Sequence, residues 1–298
     1  MTFNQFMHPR NLYRRKPDYG ELGKAYPEFG AVLLHDEAGR RPTINYADPK
    51  ALRALTTTLL KNDFGLTVTI PEDRLVPTLP MRLNYLLWVE DLLQTVPNCG
   101  DEEIITGIDI GTGCCAVFPL LGVTLNKRWS FVATDIDEKN LSFSKQNIDA
   151  NGLSDRIKLL PGSKDSMFSH LLRDSLKDQK VHFIMTNPPF FSDEYNDSFE
   201  ADHKKDSNSN FHSRKVCSSS ANEAVVEGGE FAFVKQIIDE SLEVKDRISI
   251  YTVMFGRRKS FLDVKQMLKE YQDQSVIASF AKTELCQGNT KRWALAWT

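Results

Sequence analysis

Asn187-Pro188-Pro189-Phe190 follows directly on the apolar run VHFIMT, and its residue types point to one kind of chemistry. Two successive prolines fix φ and remove two N–H donors, so the carbonyl before or between them is a free acceptor with a fixed direction. Asn187 adds a side-chain oxygen acceptor. Two acceptors converging on one point suit a planar –NH₂ group with two hydrogens to donate. Holding both hydrogens turns the nitrogen lone pair toward an electrophile, and positioning supplies most of the rate. Phe190 offers a face on which an extruded base can stack, worth about 1–3 kcal/mol. No strong general base is needed, because the amine becomes acidic once it is alkylated.

A second cluster lies upstream. Gly107-Ile108-Asp109-Ile110-Gly111-Thr112-Gly113 closes another apolar run, and its glycines allow a tight turn and close approach of backbone N–H groups to a ligand. Read as Gly111-x-Gly113-x-x-Ala116, it also satisfies a loose dinucleotide fingerprint. Asp135 ends the next run, about 20 residues on, where a carboxylate accepts ribose hydroxyls. Asp109-x-Gly111-x-Gly113 followed by Asp135 is more typical of adenosylmethionine than of nicotinamide sites. The electrophile expected at Asn187 is therefore a sulfonium methyl.

These residues need a scaffold, and the pattern along the chain supplies one. IITGIDIG, WSFVATD, DRIKLLP, VHFIMTN, RISIYTV, SVIASFA and RWALAWT are candidate strands. Helical stretches lie between many of them, including EKNLSFSKQNIDANG, EFAFVKQIIDESLE and KSFLDVKQMLKEY. Continuous apolar strands alternating with helices predict an α/β fold with a mostly parallel sheet covered on both faces. Both motifs then fall at strand carboxyl ends, the edge where open α/β sheets bind ligands. Residues 1–80 read as a separate basic module. Within it, DPKALRALTTTLLKNDFG is a helix capped by Asp48, opened by Pro49 and ended at Gly65, and LTVTI is a short strand. A helix begins at Met81 and opens the larger domain, 81–298. Residues 192–222 are polar and serine-rich without an apolar period, and read as a long mobile loop.

Composition excludes some alternatives. The 298 residues carry 41% apolar and 26% charged side chains and a net charge of −3, ordinary values for a globular protein. No apolar run approaches the ~20 residues of a membrane span, and the amino terminus lacks the apolar stretch of a secretory signal. Five cysteines without a C-x-x-C pair argue against a zinc module and for reduced thiols; no metal is expected. Three basic clusters could contact phosphate: Arg10/Arg14/Arg15/Lys16, Lys204/Lys205/Arg214/Lys215 and Arg257/Arg258/Lys259. RNA is read in loops and bulges where a base can be splayed out.

With GIDIGTG, Asp135 and NPPF in this order, the chain resembles class I adenosylmethionine-dependent methyltransferases that act on exocyclic amines. NPPFF, MRLNYLLWVEDLL, EGGEFAFVKQII and LCQGNTKRWALAW narrow this. They resemble the eukaryotic methyltransferase-like family that modifies U6 small nuclear RNA and adenosylmethionine synthetase transcripts, with relatives among bacterial ribosomal-RNA adenine methyltransferases. The resemblance implies a Rossmann-like seven-stranded sheet, S-adenosylmethionine as donor and S-adenosylhomocysteine as product. It also implies N6-adenosine methylation of structured RNA carrying an unpaired adenine, a nuclear location, a monomeric catalytic domain, and neither DNA nor membrane as partner. Carried over by position, it assigns donor contacts to Arg82, Gly111, Asp135, Ser166 and Asn187, with Arg82 pairing with the methionine carboxylate. GSKDS before Ser166 is less basic than the family pattern, and the 192–222 loop matches it poorly. The residues alone leave other amine acceptors open (guanine, cytosine or a protein glutamine), as well as an RNA-binding protein with a silent active site. The chain stops within an apparent strand, and the residues alone leave open whether a further carboxyl-terminal region follows.

Overall fold

The computed structural model describes residues 7–35, 42–96, 104–189, 228–244 and 247–298. Seven strands form one sheet: β1 (Ile105–Ile110), β2 (Trp129–Asp135), β3 (Ile157–Pro161), β4 (Val181–Thr186), β5 (Ile248–Phe255), β6 (Phe280–Gln287) and β7 (Thr290–Trp297). Their order is β3-β2-β1-β4-β5-β7-β6. The first five run parallel, and β7 pairs antiparallel with both β5 and β6. This is the expected α/β, Rossmann-like, mostly parallel architecture.

The helices are α1 (Tyr19–Ala25), α2 (Pro27–Gly30), α3 (Pro49–Phe64), α4 (Leu79–Thr95), α5 (Val117–Leu125), α6 (Glu138–Ala150), α7 (Ser169–Asp174), α8 (Gly229–Val244) and α9 (Arg258–Asp273). Strands β1 and β4 are buried at every position, because both faces of the sheet are covered. Successive residues therefore enter different apolar layers. Phe131, Ala133, Phe183 and Met185 join the amino-terminal residues, α3, α4 and α5 in one cluster. Val132 and Ile184 join α7, α8 and α9 in the other.

Helix α3 behaves as its sequence predicts. Asp48 accepts from the Lys50 amide at 2.9 Å, and Gly65 ends the helix in the left-handed region at φ 70°. Met7, Tyr13, Tyr19, Leu22 and Phe29 are buried in the same cluster as α4 and the sheet.

Two expected strands differ. LTVTI, residues 66–70, is extended but lies outside the sheet. Its backbone is satisfied by amide side chains of α6 and the residue that ends it: Thr67 exchanges bonds with Asn151 (2.8 and 2.8 Å) and Thr69 with Asn147 (2.8 and 3.0 Å). An amide side chain presents the same donor and acceptor as a peptide group, so no neighbouring strand is required. SVIASFA contributes only its end, since β6 begins at Phe280 and Ser275 turns the chain at φ 58°. The expected 192–222 loop lies outside the described residues.

Candidate active site

Strand order reverses direction at β1, whose neighbours are β2 on one side and β4 on the other. At such a switch point the loops leave in opposite directions and open a crevice at the strand carboxyl ends. A cleft of about 910 Å³ lies there, lined by Gly111, Gly113, Asp135, Arg82, Asn187 and Pro189 among others. Tertiary structure thus brings both sequence motifs into one cavity.

The glycine loop is tied to β2. The Gly111 and Thr112 amides both donate to the Thr134 carbonyl (2.9 and 2.8 Å), and the Gly113 amide donates to Asp135 Oδ2 at 2.9 Å. Gly111 and Gly113 sit at φ 73° and 68°, and a Cβ on either would meet no atom within 4 Å. Backbone conformation requires glycine here, and the open space beside it belongs to the cleft. Asp135 Oδ1 accepts from the Asp137 amide at 2.9 Å and from Asn140 Nδ2 at 3.4 Å. Burial pushes its carboxyl up, against these three donors.

Arg82, on the first turn of α4, is buried, and its guanidinium carbon lies 5.7 Å from the centre of the Phe118 ring. Burial and the charge of Arg292 lower its pKa to about 10, while Cys115 and Asp109 raise it. It keeps its charge at neutral pH and can pair with an anion. Asp109 is fully buried and stands behind the loop, not in the cleft wall. Burial raises its carboxyl to about 7, opposed by the Thr112 hydroxyl and the Arg82 charge.

At the end of β4, the Thr186 hydroxyl donates to the Ile110 carbonyl at 2.8 Å, fixing the two motif-bearing strand ends together. Asn187 is half-buried. Its Oδ1 is shielded from solvent and has no hydrogen-bond partner among the described residues. Pro188 is buried and Pro189 faces the cleft; Phe190 lies outside the described residues.

Ser166 is placed differently from Asp135 and Asn187. Its hydroxyl lies 2.9 Å from Ser169 Oγ and 3.2 Å from Glu240 Oε2, and it accepts from the His170 amide. Glu240 also accepts from the Met167, Phe168 and Ser169 amides (2.6, 3.0 and 2.8 Å), capping α7. From this loop the cleft is lined by Gly162, Ser163, Lys164 and Met167.

Sequence reasoning missed several contributors. Asn140 on α6, and Phe233 and Gln236 one helical turn apart on α8, face the cleft. Arg74 holds the roof: its buried guanidinium bonds both Asp137 oxygens (3.3 and 3.2 Å), and its neighbours Leu75 and Pro77 line the cleft. Asp137 in turn caps α6 through the Lys139 and Asn140 amides. Only the i, i+3 spacing of Phe233 and Gln236 is legible in the chain, and it does not say which face meets a ligand.

The basic clusters divide. Arg10 is committed to ion pairs with Glu90 and Asp91 on α4, and the Arg14 guanidinium donates to the Pro9 carbonyl. Arg15 and Lys16 are exposed, with Lys16 4.5 Å above the Tyr19 ring. Arg258 and Lys259 are exposed at the start of α9, near the same sheet edge. Lys204, Lys205, Arg214 and Lys215 lie outside the described residues. No group of three metal-ligating side chains occurs among the described residues, and no described helix is long and apolar enough to cross a membrane.

The raised Asp109 carboxyl makes a pH prediction. Between its ordinary value of 3.8 and about 7, the folded chain holds a proton that the unfolded chain lacks. Its contribution to stability is complete below about 4 and is lost as pH rises through 7. Glu230, raised to about 7 by burial against the opposing Gly256, Ser260 and Arg257 donors, adds a slope of the same sign. Asp109→Asn should therefore gain melting temperature relative to the parent between pH 5 and pH 8, while the Glu230 slope remains. Parallel melting curves across that range would show that Asp109 does not titrate there.

A family model described as RNA methyltransferase matches residues 1–298. The chain is 43% identical over 306 residues to the RNA N(6)-adenosine-methyltransferase mettl16 of Danio rerio, covering 100% of this chain and 60% of that protein. It is 40% identical over 314 residues to the U6 small nuclear RNA (adenine-(43)-N(6))-methyltransferase of Caenorhabditis elegans, covering 100% and 63%. The chain thus spans about three fifths of these relatives. Among solved structures, the hMettl16 catalytic domain in complex with MAT2A 3′UTR hairpin 1 matches with TM-score 0.85 at 39% identity, covering 99% of this chain and 96% of that one. The N-terminal domain of human METTL16 in complex with SAH matches with TM-score 0.76 at 38% identity, covering 98% of each.

Proposed function

The chain belongs to the RNA methyltransferase family, and from that premise we propose that it methylates the 6-amino group of an unpaired adenine in structured RNA, using S-adenosylmethionine. The observation that carries this reading is the Asn187 Oδ1: a shielded acceptor without a partner among the described residues, on the wall of a cleft shared with the glycine loop. An unpaired buried acceptor is costly, and an incoming –NH₂ satisfies it.

The cleft residues suit the donor. Asp135 keeps acceptor capacity for ribose hydroxyls, the left-handed turn at Gly111 and Gly113 leaves room beside the backbone, and Arg82 offers a buried guanidinium to a carboxylate. When bound, S-adenosylmethionine supplies an electrophilic methyl group. Asn187 Oδ1 and a proline-flanked carbonyl then hold the two amine hydrogens and aim the nitrogen lone pair. The reaction leaves S-adenosylhomocysteine and one proton, which the acidified amine releases to solvent. RNA is gripped by the basic amino-terminal residues and the start of α9, and the relatives' names favour U6-type and hairpin RNAs and a nuclear role.

The test is incubation with methyl-labelled donor and hairpin RNA, followed by nucleoside mass spectrometry. Label in 6-methyladenosine supports the reading; label in another base keeps the mechanism and changes the substrate; no label on any RNA, despite donor binding, overturns it. The amino-terminal contribution is separable. Charge reversal of Arg14 and Arg15 should weaken RNA binding and reduce the slope of affinity against salt by about one per lost phosphate contact. Unchanged binding would place these residues outside the RNA groove.

A further inference from the structure

We infer that Asn140 is a further donor contact, one that holds one hydroxyl of the ribose diol while Asp135 holds the other; this rests on the donor reading above. Asn140 lines the cleft together with Asp135, yet it is only 1% exposed. The first turn of α6 fixes its backbone. Its amide donates to Asp137 Oδ1 at 3.2 Å, and the Arg74 guanidinium holds the same carboxylate.

The side chain has one sensible orientation. Asp135 presents acceptors, so the Asn140 amide turns its nitrogen toward Asp135 Oδ1, at 3.4 Å, and its oxygen elsewhere. That Asn140 Oδ1 is shielded from solvent and has no hydrogen-bond partner among the described residues. An acceptor left in this state is costly, and a ligand hydroxyl in the cleft satisfies it.

The acceptors of Asp135 itself are nearly used up. Oδ1 accepts from the Asp137 amide and from Asn140, and Oδ2 accepts from the Gly113 amide. A carboxylate offers about four acceptor positions, so these donors leave one. A ribose diol brings two hydroxyl hydrogens. One goes to the position left on Asp135 and the other to Asn140 Oδ1. The two side chains thus read the 2′,3′-diol as a unit and select a ribonucleoside donor over a deoxy one.

Isothermal titration with S-adenosylhomocysteine and with its 2′-deoxy and 3′-deoxy analogues, on the parent and on Asn140→Ala, tests this as a double cycle. The parent should bind each deoxy analogue at least about threefold more weakly, as loss of one hydrogen bond dictates. Asn140→Ala should lose a similar factor for the full diol. It should lose nothing further for the analogue that lacks the hydroxyl Asn140 holds. A thermal melt checks that the variant folds, and Asn140→Ser takes its place in the cycle if it does not. Equal loss for all three ligands would make Asn140 merely structural and overturn this inference. Unchanged affinity for all three, or a parent that does not distinguish them, overturns it too. Failure of the parent to bind S-adenosylhomocysteine overturns the donor reading, and this inference with it.

Discussion

Asn187→Ala should lower methyl transfer on the order of 10²–10³-fold, the loss seen when one preorganised polar group is removed from a reacting centre, while leaving the fold intact. The two halves of this expectation have one cause. Asn187 Oδ1 has no hydrogen-bond partner among the described residues, so truncation breaks no bond of that oxygen within them and removes an acceptor that is costly to shield. The strand end that carries it is held independently, by the Thr186 bond to Ile110 and by the fixed φ of Pro188 and Pro189. Melting temperature should stay level or rise slightly as activity disappears. Single-turnover rates with hairpin RNA, beside a thermal melt, check both halves. Retained turnover would show that the amine is held elsewhere, whereas a fall of many degrees would make Asn187 a structural residue. S-adenosylhomocysteine affinity measured on the same variant separates loss of the donor contact from loss of amine positioning.

Gly111→Arg should weaken donor binding by at least about 100-fold, equivalent to roughly 2.7 kcal/mol. Two effects add. A side chain at φ 73° strains the backbone by about 1–2 kcal/mol, and the long arginine fills space that the wild-type loop leaves to the cleft. Gly65 calibrates the first effect. It sits at φ 70°, and a Cβ there would also meet no atom within 4 Å, but it lies at the end of α3 and outside the cleft lining. Gly65→Arg should cost comparable stability and leave donor affinity unchanged. Isothermal titration with S-adenosylhomocysteine distinguishes the variants. Equal loss of binding in both would mean that Gly111→Arg acts through global stability alone.

The sheet, the two motifs and the edge on which they lie are legible in the chain alone. Strand and helix periodicity, the left-handed glycines and the paired prolines are local properties, set by a residue and its near neighbours. That is why GIDIGTG and NPP can be placed at strand carboxyl ends without knowledge of any contact, and why Asp48 and Gly65 mark the limits of α3. Which polar groups remain available is settled only when distant segments meet. LTVTI has the alternation of a strand, yet its backbone is satisfied by Asn147 and Asn151 about eighty residues later. Arg10 belongs to a basic run, yet Glu90 and Asp91 claim its charge. The Ser166 hydroxyl sits in the right loop, yet it is engaged with Ser169 and Glu240. Arg74, Phe233 and Gln236 reach the cleft or its roof from elements with no motif of their own. A hydrogen bond or ion pair depends on distance through space, and a linear pattern does not encode which remote partner arrives first.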